Sequence, residues 1–147
     1  MPNNKIVISF PRPDTWTFYD WVDRSGANPI EEWLDGESDE VRMVFNSTLK
    51  EAQKRKNAHE WLCFKRFIKG RKFEEERIWE LQFRADRREY RLLGRFDGQM
   101  RAVVFCGCYH KGSVYTPKDA LETALRRAKE LAAGKADRSE RKIQDDF

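Results

Sequence analysis

The stretch from Trp79 to Pro117, WELQFRADRREYRLLGRFDGQMRAVVFCGCYHKGSVYTP, constrains the fold more than any other part of the chain. It reads as three consecutive strands. Over 78–83, Ile78, Glu80 and Gln82 take one face while Trp79, Leu81 and Phe83 take the other. Over 90–96, Tyr90, Leu92, Gly94 and Phe96 oppose Arg91, Leu93 and Arg95. Asp97-Gly98 signals a tight hairpin. Residues 101–109 are nearly all apolar, the pattern of a central strand covered on both faces.

Upstream, Thr15–Val22 is rich in Thr and aromatics and predicts a strand, followed by a turn at Asp23-Arg24-Ser25-Gly26. Asn28-Pro29 is an N-cap followed by proline at the first helical position. Ile30, Trp33 and Leu34 mark one face of a short helix that Gly36 ends. Ser38 caps a longer helix with Asp39 and Glu40 in its first turn. Its apolar stripe is Val41, Val44, Phe45, Thr48, Leu49 and Ala52. Residues 61–77 have no clean period and read as a connector that packs Trp61, Phe64 and Phe67 on the core. Thr116-Pro117 reads as the cap and first position of a last helix, whose buried face is Ala120, Leu121, Ala124, Leu125, Ala128 and Leu131. Gly134 stops it. The expected organisation is an N-terminal arm or edge strand over 1–14, one domain over 15–133, and a polar tail over 134–147. Trp33, Val44, Leu49, Leu81, Leu92, Val103, Leu121 and Leu125 are expected in one shared core.

Charge is uneven along the chain. Residues 1–48 carry net −5 and the remainder net +9. That asymmetry suits a polyanionic partner on the later portion, the plainer alternative being a lopsided but merely solvated surface. No segment approaches the ~20 apolar residues of a membrane span, and the N-terminus lacks the apolar run of a signal peptide. The expectation is a cytoplasmic protein without a membrane partner. The cysteines, Cys63, Cys106 and Cys108, are odd in number. Cys106 and Cys108 share one face of a strand and read as buried thiols, and the set is neither a disulfide framework nor a metal site, so neither a metal nor a cofactor is expected.

The three-strand segment also concentrates basic groups: Arg84, Arg87, Arg88, Arg91, Arg95, Arg101 and Lys111. It ends in Tyr109-His110-Lys111. A basic sheet face with aromatic and imidazole groups at its rim suits phosphate binding and proton transfer on RNA.

The order WELQF, YRLLGRF, an apolar strand, YHKGSVYTP and an Ala-rich helix resembles the RelE/HigB-like toxins of type II toxin–antitoxin modules, in particular their phage-derived branch. The resemblance runs from about Thr15 to Leu131 and rests on order and spacing, since each motif is short. It implies an α+β fold, a small antiparallel sheet with N-terminal helices and a C-terminal helix packed on one side. It implies a metal-independent endoribonuclease acting on mRNA, often at the ribosome, and an antitoxin partner of helix-turn-helix type. Two positions depart from the family pattern: Gln82 stands where an Arg is usual, with Arg84 two residues on, and His110 replaces a Lys.

Cleavage of that kind needs a base for the ribose 2′-OH, a proton for the leaving 5′ oxygen and cations for the phosphorane. His110 has the only side chain of the cluster with an unperturbed pKa near neutrality, ~6.5. His110, Lys111, Arg91 and Arg95 are therefore the candidate catalytic residues. Arg84, Arg88, Tyr109 and Tyr115 are candidates to hold RNA. Arg84, Arg91, Arg95, His110 and Lys111 are expected to converge on one positive surface. Each has a plainer use: Arg91 and Arg95 can pair with Glu80 or Glu89, and His110 can simply tie down its loop. Two other functions stay open, a ParE-like toxin that binds a protein target and a phage-derived RNA-binding protein without cleavage.

Overall fold

The computed structural model describes residues 15–143. The expected N-terminal arm lies outside them. Among the described residues the chain is α+β, with four α-helices, a single 3-10 turn and a seven-stranded, mostly antiparallel sheet. The strands are β1 (Thr17–Val22), β2 (Phe64–Phe67), β3 (Trp79–Ala85), β4 (Arg88–Phe96), β5 (Arg101–Lys111), β6 (Val114–Thr116) and β7 (Asp137–Glu140). The helices are α1 (Pro29–Asp35), α2 (Asp39–Gln53), α3 (Arg71–Glu75) and α4 (Ala120–Ala132). The sheet order is β2-β3-β4-β5-β1-β7, with β6 paired to the far end of β5. β1 joins β5 in parallel, the one parallel pair of the described sheet.

Local chemistry sets the helix starts. The Asn28 side-chain oxygen accepts from the N–H groups of Ile30 and Glu31 at 3.1 and 3.0 Å, and Pro29 lacks a donor to satisfy. Ser38 Oγ caps α2 by accepting from Val41 N–H at 3.3 Å. Val41, Phe45, Leu49 and Ala52 then recur on the buried stripe of α2.

The two-residue turn sits between β3 and β4, at Asp86 and Arg87. Both residues are left-handed, with φ of 50° and 62°, the backbone that a tight hairpin twist demands. The Asp97-Gly98 turn is looser: β4 and β5 are joined by residues 97–100. The β4–β5 ladder slips once. Leu93 pairs with Cys106 and Gly94 with Val104, which leaves Phe105 as an extra residue on β5. At the slip, a Cβ on Gly94 would lie 2.1 Å from the Val103 carbonyl oxygen and 2.6 Å from the Trp79 ring.

Helices cover both faces, not one. Gly107 of β5 lies under the Trp33 ring of α1, where an added Cβ would come within 2.3 Å of it. Its neighbour Cys106 points the other way and donates from Sγ to the Ala120 carbonyl of α4 at 3.5 Å. So α1 and α2 pack on one face, with Phe45 against Phe83, and α4 packs on the reverse. Leu49, Leu81, Leu92, Val103 and Leu125 are buried, while Trp33, Val44 and Leu121 are half-buried against the same core. Cys63, Cys106 and Cys108 are buried free thiols.

Three segments differ from the sequence reading. The connector over 61–77 holds β2 and α3, because FKRF pairs its backbone with β3 as an edge strand. Thr116-Pro117 does not open the last helix. Thr116 pairs with Tyr109 in β6, and α4 begins after Asp119, whose side chain makes no capping bond. The polar tail contributes β7, which pairs with β1 and closes the second sheet edge. Arg141 follows it inward: its Nε donates to Asp20 at 2.9 Å, and both side chains are largely buried.

The bulge glycine supplies a stability test. Gly94→Ala should lower unfolding free energy by about 3 kcal/mol, since the methyl meets backbone rather than a yielding side chain. A urea transition shifted by less than about 1 kcal/mol would show that the β4–β5 slip can relax.

Candidate functional site

The candidate site grows from strand register. Cross-strand partners share a face, and the ladders align Glu80 with Leu93, Gln82 with Arg91, Arg91 with Cys108, and Glu89 with His110. Two further pairings bring Arg66 beside Glu80 and Tyr115 beside His110. All of these lie on the face that carries α4. The helix packs over Cys106, farther along β5, and the rows from Glu80 to His110 lie beyond that contact.

Glu80 is the centre of the cluster, only 1% exposed. Its Oε1 accepts from the Tyr115 hydroxyl at 2.6 Å and its Oε2 from Arg66 Nε at 3.1 Å. Arg66 Nη2 also reaches the Tyr115 oxygen at 3.4 Å. Arg91 Nε and His110 Nε2 lie 3.7 and 3.9 Å from the same Oε1, just beyond hydrogen-bond length. Both nitrogens are buried without a hydrogen-bond partner. Arg91 Nη1 donates to the Gln82 side-chain oxygen. A buried carboxylate is costly unless paired and hydrogen-bonded. Here the Arg66 guanidinium and the Tyr115 phenol meet that requirement by direct hydrogen bonds and are fixed by it, and Arg91 adds its charge from 3.7 Å.

Electrostatics follow from the packing. His110 stacks edge-on against Tyr115, with ring centroids 4.4 Å apart. Its burial, reinforced by the Arg91 guanidinium, holds its pKa below the usual value despite the opposing pull of Glu80. The imidazole is therefore neutral at pH 7. Burial pushes the Tyr115 phenol up to about 12, and its bond to Glu80 adds to the effect. Tyr115 stays protonated as a fixed donor. Arg66 keeps about half of its side chain open to solvent, and Arg84 more, although Arg84 is paired to Glu89 at 2.6 Å. The open rim therefore carries two guanidinium groups, one of them paired with the acid Glu89, over a floor that is a carboxylate. The thiol of Cys108 beneath Arg91 is driven well above its ordinary pKa by burial, which removes it as a nucleophile.

Sequence reasoning named eight candidate residues, and the fold divides them. His110, Arg91 and Tyr115 meet at Glu80, with Arg84 on the neighbouring row. Arg95 shares the face but lies at the other end of β4, where Glu76 holds it at 3.0 Å. Lys111 follows His110 directly and so falls on the opposite face of β5, exposed at its end. Arg88 and Tyr109 are also on that reverse face, with the Arg88 guanidinium 4.5 Å from the Tyr109 ring centroid. The expected convergence of Arg84, Arg91, Arg95, His110 and Lys111 is thus corrected: strand alternation separates Lys111, and distance along β4 separates Arg95. Arg66 is the member that the sequence does not reveal: it lies within 61–77, which has no clean period, and only its register with Glu80 brings it in. Glu80 does pair with an Arg, as expected, but at a depth beyond a surface group. The depth of Glu80 had a signal, a lone acid within the apolar alternation WELQF.

The neutral state of His110 has a pH signature. A depressed folded-state pKa means the unfolded chain binds the proton more readily, so stability is lost as pH falls from about 6.5 through the folded value. His110→Gln should flatten that part of the stability–pH curve, and in wild-type NMR titrations His110 should titrate at lower pH than a free imidazole. A His110 midpoint at or above 6.5 would contradict the geometry.

One family model matches residues 32–129, and its description is Phage derived protein Gp49-like (DUF891). The matched span is two-thirds of the chain and contains Arg66, Glu80, Gln82, Arg91, His110 and Tyr115. No curated protein and no solved structure matches the chain. A match of this extent, over the strands and helices that build the cluster, makes the chain a member of the Gp49-like family of phage-derived, toxin-like proteins.

Proposed function

We propose that this protein is the toxin of a toxin–antitoxin pair and that it cleaves RNA at the Glu80–His110 cluster, with mRNA on the ribosome as its substrate and a helix-turn-helix antitoxin as its restraint. The observation that carries the reading is a neutral, partly exposed imidazole held beside a buried carboxylate and rimmed by Arg66 and Arg84. His110 takes the proton from a ribose 2′-OH. The 2′ oxygen attacks the adjacent phosphorus, the P–O2′ bond forms and the P–O5′ bond breaks. The products are a 2′,3′-cyclic phosphate and a 5′ alkoxide that takes up a proton from solvent. Because the nucleophile is internal to the substrate, the step does not call for a metal-bound water. Arg66 and Arg84 face solvent and meet the phosphorane charge: the exposed Arg84–Glu89 pairing is cheap to exchange, while Arg66 offers its solvent-facing edge and keeps its bond to Glu80. Arg91 works behind them: with Gln82 and Glu80 it sets the position of His110 and keeps the ring uncharged.

A second reading draws on the separation of the candidate cations. With Lys111 and Arg88 on the reverse face and Arg91 committed to Glu80, the residues left to bind phosphate are few. That favours a ParE-like toxin with a protein target. Cleavage assays on free RNA and on programmed ribosomes separate the two.

Wild-type protein should generate 2′,3′-cyclic ends in the presence of EDTA. His110→Gln should reduce the rate about 100-fold or more with an unchanged unfolding transition at neutral pH. Arg66→Ala should reduce it about 10- to 100-fold through lost charge stabilisation. The wild-type rate should fall as pH drops through the depressed His110 pKa and be level above it. An inert wild type in both settings, or a fully active His110→Gln, sinks the nuclease reading.

A further inference from the structure

A second polar feature lies away from the Glu80 cluster, where the sheet is interrupted. β1 pairs with β5 over residues 101–104 and β6 pairs with it over 109–111. Between those pairings, alongside Cys106 and Gly107, is a cavity of about 210 Å³. Its walls come from Pro29 and Trp33 of α1, Pro117, and Ala120, Thr123 and Arg127 of α4. They are apolar except at Thr123 and Arg127.

Arg127 is in an unusual state for a guanidinium. Its Nη1 donates to the Phe105 carbonyl at 2.7 Å, and its central carbon lies 5.0 Å from the Trp21 ring centroid. Its Nε is buried with no hydrogen-bond partner. Among the described residues no carboxylate forms an ion pair with it. Burial already works against its charge. The half-buried charge therefore rests on a carbonyl, a ring face and a cavity, with Glu130 and Asp119 acting on it only from beyond ion-pair distance.

We propose that the cavity is a binding site for a small organic monocarboxylate, with the Arg127 guanidinium as its charge partner. The walls select the class. A planar guanidinium matches a carboxylate. One cation beside one hydroxyl suits a single negative charge, whereas a phosphate dianion requires more donors than the cavity offers. The apolar walls accept a hydrocarbon body. Benzene occupies cavities of ~150 Å³, so a benzoate-sized acid fits this volume. The inference is independent of RNA cleavage, since none of these residues belongs to the Glu80 cluster.

The test uses the full-length protein with benzoate, acetate, chloride and inorganic phosphate as probes. The readouts are the Arg127 Nε–H resonance and tryptophan fluorescence from Trp33 and Trp21. Benzoate should bind saturably, about tenfold or more tighter than acetate because of its apolar body, and should shift the Nε–H signal. Chloride and phosphate should give only a weak response that does not saturate. Arg127→Met should weaken benzoate by about 30-fold or more. Thr123→Phe, which fills the cavity and leaves the guanidinium in place, should abolish binding. No saturable benzoate response in the wild type overturns the proposal, as does benzoate affinity retained in either folded variant. If both substitutions prevent folding, the wild-type Nε–H signal decides: saturation without a shift of that resonance places the ligand elsewhere and refutes the site.

Discussion

Burial of β5 on both faces is the constraint around which the molecule is arranged. Alternate residues of one strand must satisfy two different layers, so each position is fixed by its neighbour. Gly107 can only be small because the Trp33 ring rests on it, while Cys106 beside it meets the start of α4. The extra residue at Phe105 adjusts the ladder between these two demands. Once β5 is set, β4 and β3 follow by antiparallel pairing and β1 by parallel pairing. The candidate site inherits its geometry from this: residues in the rows of Glu80, Gln82, Arg91 and His110 meet because the sheet register leaves them no other face.

Much of this was legible in the chain. The alternation in WELQF and YRLLGRF gave the correct faces for Glu80, Gln82 and Arg91, and the apolar run over 101–109 marked the central strand. Asn28-Pro29 and Ser38 marked their helix starts because capping is a local interaction, decided within four residues. What stayed hidden was non-local. β2 and β7 are short and charged, and their strand character comes from the backbone of β3 and β1 that they pair with, not from their own pattern. Thr116-Pro117 carried the local signature of a helix start, but pairing of Thr116 with Tyr109 prevailed over it.

The same limit governed the site. A list of basic residues cannot say which side of a strand each one takes unless the register is known. Lys111 and His110 are adjacent in sequence and therefore opposed in space. Arg66 and Glu80 are fourteen residues apart and in direct contact. The acid at the centre was undervalued because a surface Glu and a buried Glu look alike in a sequence. What distinguishes them is the number of donors that the fold delivers, here Tyr115 and Arg66 directly, with Arg91 and His110 close by.

The two outer strands of the described sheet have a consequence for the protein among its neighbours in solution. A strand edge exposes unpaired amide and carbonyl groups that can recruit another chain. The strands that end the main order are only four residues long, Phe64–Phe67 and Asp137–Glu140, and β6, beside β5, has three. Lys65 and Arg66 interrupt the first with positive charge, and the second reads Asp-Arg-Ser-Glu. Either strand pairing antiparallel with its counterpart in a second copy would gain few backbone bonds and would set Lys65 against Arg66, or Asp137 against Glu140. The brevity and charge that concealed these strands in the sequence thus disfavour self-pairing of these edges and the β-mediated aggregation it would seed.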